Sequence, residues 1–136
     1  MEFNSQICTT KIQSERLLAL RLKKETADCI ITQKVDGTFD VFNINCGLLK
    51  VETIKRASKL FVSLPSWSLH RLIEMMPTLV NPIRNLFVSN RSIEYRMSEG
   101  RTTHVFANEN NIYDNVINCI EWLISVGEFN KEYLEE

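Results

Sequence analysis

The chain has 136 residues, of which 44% are hydrophobic, and its formal net charge at pH 7 is −1. This length and composition suit one ordinary domain with its own core, and a charge so close to zero argues against a strongly basic nucleic-acid binder. No segment approaches the roughly 20 apolar residues of a membrane-spanning helix, and the first residues lack the apolar run of a signal peptide. We therefore expect a cytoplasmic protein with no membrane partner.

The first predicted element is a helix that begins after Thr10. Thr10 and Gln13 have the spacing of a capping box, in which each side chain bonds the backbone N–H of the other residue. The helix should continue to about Leu22, with leucines along its apolar side. A flexible N-terminus, residues 1–9, would precede a single folded domain, residues 10–134.

The next predicted element is a β-hairpin over residues 29–44. Asp36-Gly37 is a favoured two-residue connection, because both residues tolerate the positive φ of a type I′ turn. A two-residue turn at this point would place Ile31 opposite Phe42 and bury the face that carries them.

Two further helices are predicted in the middle of the chain. Val51–Phe61 has apolar residues at roughly helical spacing and is interpreted as a helix, although its last residues could equally enter a strand. Ser66–Met76 has apolar residues at i, i+3, i+4 and i+7. Ser66 or Ser68 would cap this helix, and Pro77 would end it because its ring blocks continuation.

Residues 86–107 predict an antiparallel meander. Ile93–Met97 alternates apolar and polar residues, the period of a strand with one face on a core. If the turn at Glu99-Gly100 has two residues, Tyr95 faces His104 and His104 points to the apolar side. A bulged three-residue loop would turn His104 outward instead.

A last helix is predicted over Asn111–Val126, whose apolar residues fall on one side. Gly127 follows at the position where a residue of left-handed conformation is preferred. Phe129–Leu134 should form a final turn before an acidic end. The predicted class is therefore α+β, with antiparallel hairpin and meander strands packed against two to four amphipathic helices.

The sequence shows no motif for catalysis, a metal or a cofactor. Its four cysteines are scattered without a C-x-x-C pair, which predicts free and mostly buried thiols. Ser66, Ser68 and His70 are close in sequence, but no partner acid is evident, and His70 is expected at the surface. A lone His104 beside Tyr95 is more often structural than catalytic. We expect no enzyme activity and no catalytic, cofactor-binding or metal-binding residue.

The charged residues are unevenly distributed along the chain. Residues 1–64 carry ten Lys or Arg against seven Asp or Glu, a balance of +3, whereas residues 65–136 carry six against ten, a balance of −4. Basic residues at helical spacing usually form a solvated face, but a phosphate-contacting surface is an open alternative. The candidate nucleic-acid-binding residues are Arg16, Arg21, Lys23, Lys24, Lys55 and Arg56.

Four parts of the chain carry a family resemblance. They are Thr9–Leu20, Thr26–Asp28, Leu64–Pro77 and Ile120–Leu123 with Gly127. These segments resemble a group of small uncharacterised proteins that are common in phages, prophages and mobile elements of Bacteroides-type gut bacteria. The resemblance implies a genomic setting and no mechanism. Such proteins often end the first helix with Gly, whereas this chain has Arg21 there, so its first helix is expected to run longer.

The leading hypothesis is a non-enzymatic protein-interaction module of a phage or mobile element. It would bind a protein of the host or of the element through a flat sheet face or an edge strand. An ordinary core, the lack of a chemical motif and the resemblance motivate this hypothesis. The alternative is a nucleic-acid-binding accessory protein that uses the basic N-terminal part of the chain.

Overall fold

The computed structural model describes residues 6–33, 39–43, 62–80, 84–97 and 102–136 of the chain. These residues form α-helices, short 3-10 turns and antiparallel strands in two sheets, so the predicted α+β class is confirmed. They divide into two compact units, residues 1–71 with Glu135 and residues 72–134 with Glu136. The predicted extent of one domain, residues 10–134, stays a prediction. The turns at Asp36-Gly37 and Glu99-Gly100 and the helix Val51–Phe61 lie outside the described residues.

The described part of the first unit contains an α-helix packed against a three-stranded antiparallel sheet with the strand order β2-β1-β3. Buried apolar residues of this unit include Leu17, Leu22, Ile30 and the fully buried Trp67. The elements are α1 (Lys11–Ala19), a 3-10 turn (Lys24–Thr26), β1 (Cys29–Gln33), β2 (Phe39–Asn43) and β3 (Val62–Ser66).

Helix α1 begins as the sequence predicts and ends earlier. The capping box is confirmed, because the Gln13 N–H donates to Thr10 Oγ1 at 3.2 Å and the Thr10 N–H donates to Gln13 Oε1 at 3.0 Å. The predicted run to Leu22 is wrong. Arg21 adopts a φ of 74°, and the Leu22 N–H donates to the Leu17 carbonyl at 3.3 Å. This Schellman arrangement ends a helix, and here an arginine occupies the left-handed position that usually requires glycine.

The β1–β2 hairpin is confirmed, but its predicted register is wrong by one residue. Ile31 pairs with Val41, and Phe42 pairs with Ile30. The last pair of the ladder, Gln33 with Phe39, leaves an odd number of residues between the strands. The predicted two-residue turn at Asp36-Gly37 lies between these strands and outside the described residues, so it stays a prediction.

The N-terminal segment is tied to the sheet of the first unit. Cys8 and Thr9, which the sequence places in a flexible terminus, are buried, and the Thr9 N–H donates to the Trp67 carbonyl at 2.9 Å. Cys8 and Cys29 form a disulfide across 21 residues of sequence, with their Cα atoms 6.8 Å apart. The prediction of free thiols is therefore wrong for this pair, since scattered spacing does not reveal proximity in the fold. Cys119 is free and buried.

The predicted helix Ser66–Met76 is correct only from its fourth residue. Residues 62–66 pair with β1 as strand β3, and the helix α2 extends over Leu69–Met75. Ser68 caps it, because its Oγ accepts the Arg71 N–H at 3.1 Å. Ser66 therefore does not cap the helix, because it is the last residue of strand β3.

The described part of the second unit contains a four-stranded antiparallel sheet with the order β4-β5-β6-β7 and a long helix that contacts β6 and β7. The predicted meander is confirmed, as is the pair Tyr95 with His104, and Ile93 pairs with Phe106. A register shift follows Tyr95. The elements are β4 (Leu79–Val80), β5 (Arg84–Val88), β6 (Ile93–Met97), β7 (Thr102–Phe106), α3 (Ile112–Ser125) and a 3-10 turn (Lys131–Tyr133).

Helix α3 has the ends that the sequence predicts. The Asn111 side chain accepts the Tyr113 N–H at 2.8 Å, and Gly127 has a φ of 75°. The Glu128 N–H returns to the Leu123 carbonyl at 2.9 Å, which completes the same Schellman arrangement as at α1.

The two helix ends provide a matched stability test. An L side chain in the left-handed region costs about 1–2 kcal/mol, and a Cβ on Gly127 would have no neighbouring atom within 4 Å, so only the backbone would respond. We expect Gly127→Ala to lower the free energy of unfolding by about 1 kcal/mol and Arg21→Gly to raise it by about 0.5 kcal/mol. Urea denaturation measures both, and shifts of the same sign would contradict the assignment.

Candidate interaction surface

The two faces of the four-stranded sheet have different environments. One face, here called the inner face, carries Tyr95, His104 and Phe106. These rings lie 5.8, 4.1 and 5.9 Å from the ring centre of Trp122 on α3. Ile93 and Tyr95 on this face have no solvent exposure. The inner face is therefore part of the core of the second unit, and His104 lies on the apolar side. The number of residues in the loop at Glu99-Gly100 lies outside the described residues.

Burial controls the protonation of the inner face. It raises the pKa of the Tyr95 phenol above its ordinary value, with a smaller contribution from Cys119. The Tyr95 O–H donates to the Pro77 carbonyl at 2.8 Å. Burial also lowers the pKa of His104, and Arg84 adds to this effect. His104, whose ring is tilted by 33° against Trp122, and Tyr95, whose hydroxyl has a backbone acceptor, are structural groups in this geometry.

The opposite face, here called the outer sheet face, carries exposed apolar side chains. Directly paired residues share a face of an antiparallel sheet, and Phe87 pairs with Glu94, which pairs with Val105. Phe87 is 45% exposed and Val105 is 48% exposed, and Leu79 on the same face is 47% exposed. The outer sheet face consists of Leu79, Asn85, Phe87, Glu94, Arg96 and Val105.

The charges at the centre of the outer sheet face neutralise each other. Arg96 Nη2 lies 2.6 Å from Glu94 Oε2, and Arg96 Nε donates to the same oxygen at 2.6 Å. The Arg96 guanidinium also lies over the Phe87 ring, 4.6 Å from its centre. The face therefore offers apolar area with no excess of either charge, which suits an uncharged protein surface better than a phosphate backbone.

An edge strand borders this face. Strand β7 pairs with β6 on one side and is the last strand of its sheet among the described residues. Edge strands present backbone donors and acceptors to which a partner strand can add. Val105 on β7 thus lies where an apolar face and an edge meet.

The hydroxyls of the two serines near His70 bond other groups of the first unit. Ser68 Oγ donates to the Asp28 carboxylate, whose other oxygen accepts the Ser68 N–H at 2.8 Å. Ser66 Oγ donates to the Thr9 carbonyl at 2.7 Å. These groups hold the first unit together, and His70 is exposed as predicted. Within the described ranges, no three His, Cys, Asp or Glu side chains converge as metal ligands.

The candidate nucleic-acid-binding residues lie around the end of α1. Arg16 is on α1, Arg21 follows it, and Lys23 and Lys24 enter the 3-10 turn. Arg21 and Lys24 are exposed, while Arg16 and Lys23 are partly exposed. Lys55 and Arg56, the other two candidates, lie outside the described residues. The structure thus places four of the six in one short stretch of the first unit.

Sequence reasoning identified the outer sheet face only in part. Glu94 and Arg96 are assigned to the polar side of β6 by the alternation of that strand. Phe87 and Val105 were missed, because an apolar residue in a strand is normally assigned to the core. Phe87 directly follows Leu86 and Val105 directly precedes Phe106. Because neighbouring residues of a strand point to opposite faces, one apolar residue of each pair must lie on the outer side, and this could have been read from the sequence.

Comparison with known proteins gives no match to this chain among family models, curated proteins or solved structures. The resemblance to proteins of gut-bacterial phages and mobile elements stays a prediction. No helix within the described ranges is long and apolar enough to cross a membrane.

Proposed function

We propose that this protein is a non-enzymatic protein-interaction module, encoded by a phage or mobile element, that binds a partner protein through the outer sheet face. The carrying observation is the exposure of Phe87, Val105 and Leu79 on one face of one sheet. Scattered exposed apolar residues are normal on a protein surface, whereas several on one face mark an interaction site.

The size of the face sets the expected affinity. Three five-residue strands and the two-residue β4, about 4.8 Å apart, cover roughly 270 Å². A stable interface buries about 800 Å² on each partner. We therefore expect contact with the outer sheet face alone to give an affinity in the micromolar range, and addition of a partner strand at β7 to strengthen it.

Capture of partners from host lysate tests the proposal with matched variants. Phe87→Asp places a charge on the apolar face and should reduce capture of the partner at least tenfold. Ile12→Asp is the control, because Ile12 is 77% exposed on α1 of the first unit and lies outside the outer sheet face. Equal capture by wild type and Phe87→Asp would contradict the proposal.

The alternative function, nucleic-acid binding through Arg16, Arg21, Lys23 and Lys24, is tested in the same experiment. Nuclease treatment removes partners that are held through nucleic acid and leaves direct protein partners. Capture that nuclease abolishes, and that weakens steeply between 50 and about 200 mM salt, would favour the basic stretch over the outer sheet face.

A further inference from the structure

A disulfide joins the N-terminal segment of the first unit to the sheet of that unit. Cys8 and Cys29 lie 21 residues apart in sequence, and helix α1 is part of the loop that their bond closes. Cys8 follows Ile7, which is 65% exposed, whereas Cys29 begins β1, the central strand of the order β2-β1-β3. The bond therefore has one end beside an exposed residue and the other end inside the sheet.

A second set of contacts holds the same two segments together without the sulfur atoms. The Thr9 N–H donates to the Trp67 carbonyl at 2.9 Å, and Thr9 Oγ1 accepts the Trp67 N–H at 3.1 Å. Ser66 Oγ donates to the Thr9 carbonyl at 2.7 Å, and Ser66 pairs with Cys29 in the sheet. Thr9 and Ser66 are 1% and 0% exposed, so water competes poorly for these bonds. They keep Cys8 beside Cys29, and reduction of the disulfide breaks none of them.

The distance between two thiols controls how readily their disulfide forms again. Two groups joined only by a short flexible loop have an effective concentration of about a few millimolar. Groups that are held in a fixed orientation reach much higher values. The Thr9 bonds fix the chain one residue from Cys8, so the two thiols stay within reach of each other after reduction. A disulfide in this position can break and form again within a folded unit.

We propose that Cys8 and Cys29 are a reversible redox pair, whose disulfide a thiol reductant opens and a small disulfide closes while the first unit stays folded. The thiolate of a glutathione-type thiol attacks the Cys8 sulfur, which adjoins the exposed Ile7. This attack forms a mixed disulfide with Cys8 and releases Cys29 as a thiolate, which takes a proton from water. A second thiol then displaces Cys8 and forms the disulfide of the reductant, so two electrons pass to the protein.

The consequence of the exchange is confined to the N-terminal segment. Reduction releases the residues before Thr9 from their covalent link to β1, and oxidation restores that link. The pair lies in the first unit and the outer sheet face lies in the second, so the redox pair does not depend on the function proposed above.

Equilibration of the whole protein with mixtures of reduced and oxidised glutathione tests the proposal. Differential alkylation and peptide mass spectrometry measure the fraction of the Cys8–Cys29 disulfide in each mixture. We expect an effective concentration of about 0.1 M or more, which is roughly a hundredfold above the value for an unanchored loop. Hydrogen exchange at the Thr9 amide should stay slow in the reduced protein, because its bond to the Trp67 carbonyl remains. A value of a few millimolar, or fast exchange at this amide after reduction, would overturn the proposal.

Two substitutions at Thr9 test the physical cause. Thr9→Val keeps the size of the side chain and loses its hydroxyl, so it should lower the effective concentration about tenfold. Thr9→Ser keeps the hydroxyl and should stay within about twofold of the wild type. Thr78→Val, at an exposed position of the second unit, is the matched control and should have no effect. Equal values for wild type and Thr9→Val would overturn the proposal, and the wild-type titration decides it should Thr9→Val fail to fold.

Discussion

Trp67→Ala is expected to lower the free energy of unfolding by about 3–5 kcal/mol. Trp67 is the largest side chain with no solvent exposure among the described residues of the first unit, so truncation leaves a cavity that its neighbours can fill only in part. The indole N–H also donates to Thr26 Oγ1 at 2.9 Å, and this hydroxyl donates in turn to the Lys23 carbonyl at 2.6 Å. Loss of the ring therefore removes both a packing partner and a buried donor.

Trp67→Phe separates the two contributions. It keeps an aromatic ring and loses the indole donor, and we expect a loss of about 1–2 kcal/mol. Ile12→Ala, at a position 77% exposed, serves as a surface control and should change stability by less than about 0.5 kcal/mol. Urea denaturation followed by circular dichroism measures all three variants. A loss below 1 kcal/mol for Trp67→Ala would contradict the position of this residue in the core.

Asn115→Asp is expected to lower the free energy of unfolding by about 2–4 kcal/mol at pH 7. Asn115 has no solvent exposure, and its Nδ2 donates to the Arg91 carbonyl at 2.7 Å and to the Glu109 carbonyl at 3.0 Å. Its Oδ1 accepts the Glu109 N–H at 3.0 Å. An aspartate retains the last bond but turns a carboxylate oxygen toward two carbonyl oxygens, so it replaces two attractions with two repulsions.

The pH dependence of Asn115→Asp identifies this cause. The pKa of an aspartate in an unfolded chain is about 3.9, and burial against two carbonyls raises the pKa in the folded state. The destabilisation should therefore grow as the pH rises above about 4 and shrink as the pH falls toward 4, where the protonated acid can donate again. Asn118→Asp, on a partly exposed position of the same helix, is the control and should show little pH dependence. A pH-independent loss for Asn115→Asp would contradict the hydrogen-bond assignment.

The sequence predicts correctly the features that depend on residues close together in the chain. The Thr10–Gln13 capping box, the left-handed Gly127 and the alternation of Ile93–Met97 depend on residues a few positions apart, and all three are confirmed. The errors arise where distant segments compete. Residue 66 satisfies a capping pattern but pairs with Cys29 of β1, and the Cys8–Cys29 disulfide depends on a crossing of the N-terminal segment that spacing does not show.

The end of α1 at Arg21 could not be predicted for a different reason. A left-handed residue is normally recognised by a glycine, and the sequence offers an arginine, so the helix was expected to continue. Tertiary packing overrides this preference, because Leu22 is buried, and its N–H returns to the Leu17 carbonyl.

The candidate site could be predicted only through its polar members. Strand alternation assigns Glu94 to the solvent side, but it gives no reason to expect that Phe87 and Val105 flank it. That arrangement follows from the register of three strands, which the sequence specifies only after the turns are known. The exposed apolar area of the outer sheet face is therefore seen in the structure and is not predicted by the sequence.

Photo-crosslinking at Val105 tests the central claim most directly. A benzophenone amino acid at this position, on the outer sheet face and on the edge strand β7, should crosslink to a protein partner in host lysate, and nuclease treatment should leave the product unchanged. The same probe at Ile12 is the control, because its exposure is higher at 77% against 48%. A protein crosslink at Val105 and none at Ile12 is the predicted result, and equal crosslinking at both positions or none at Val105 would contradict the account.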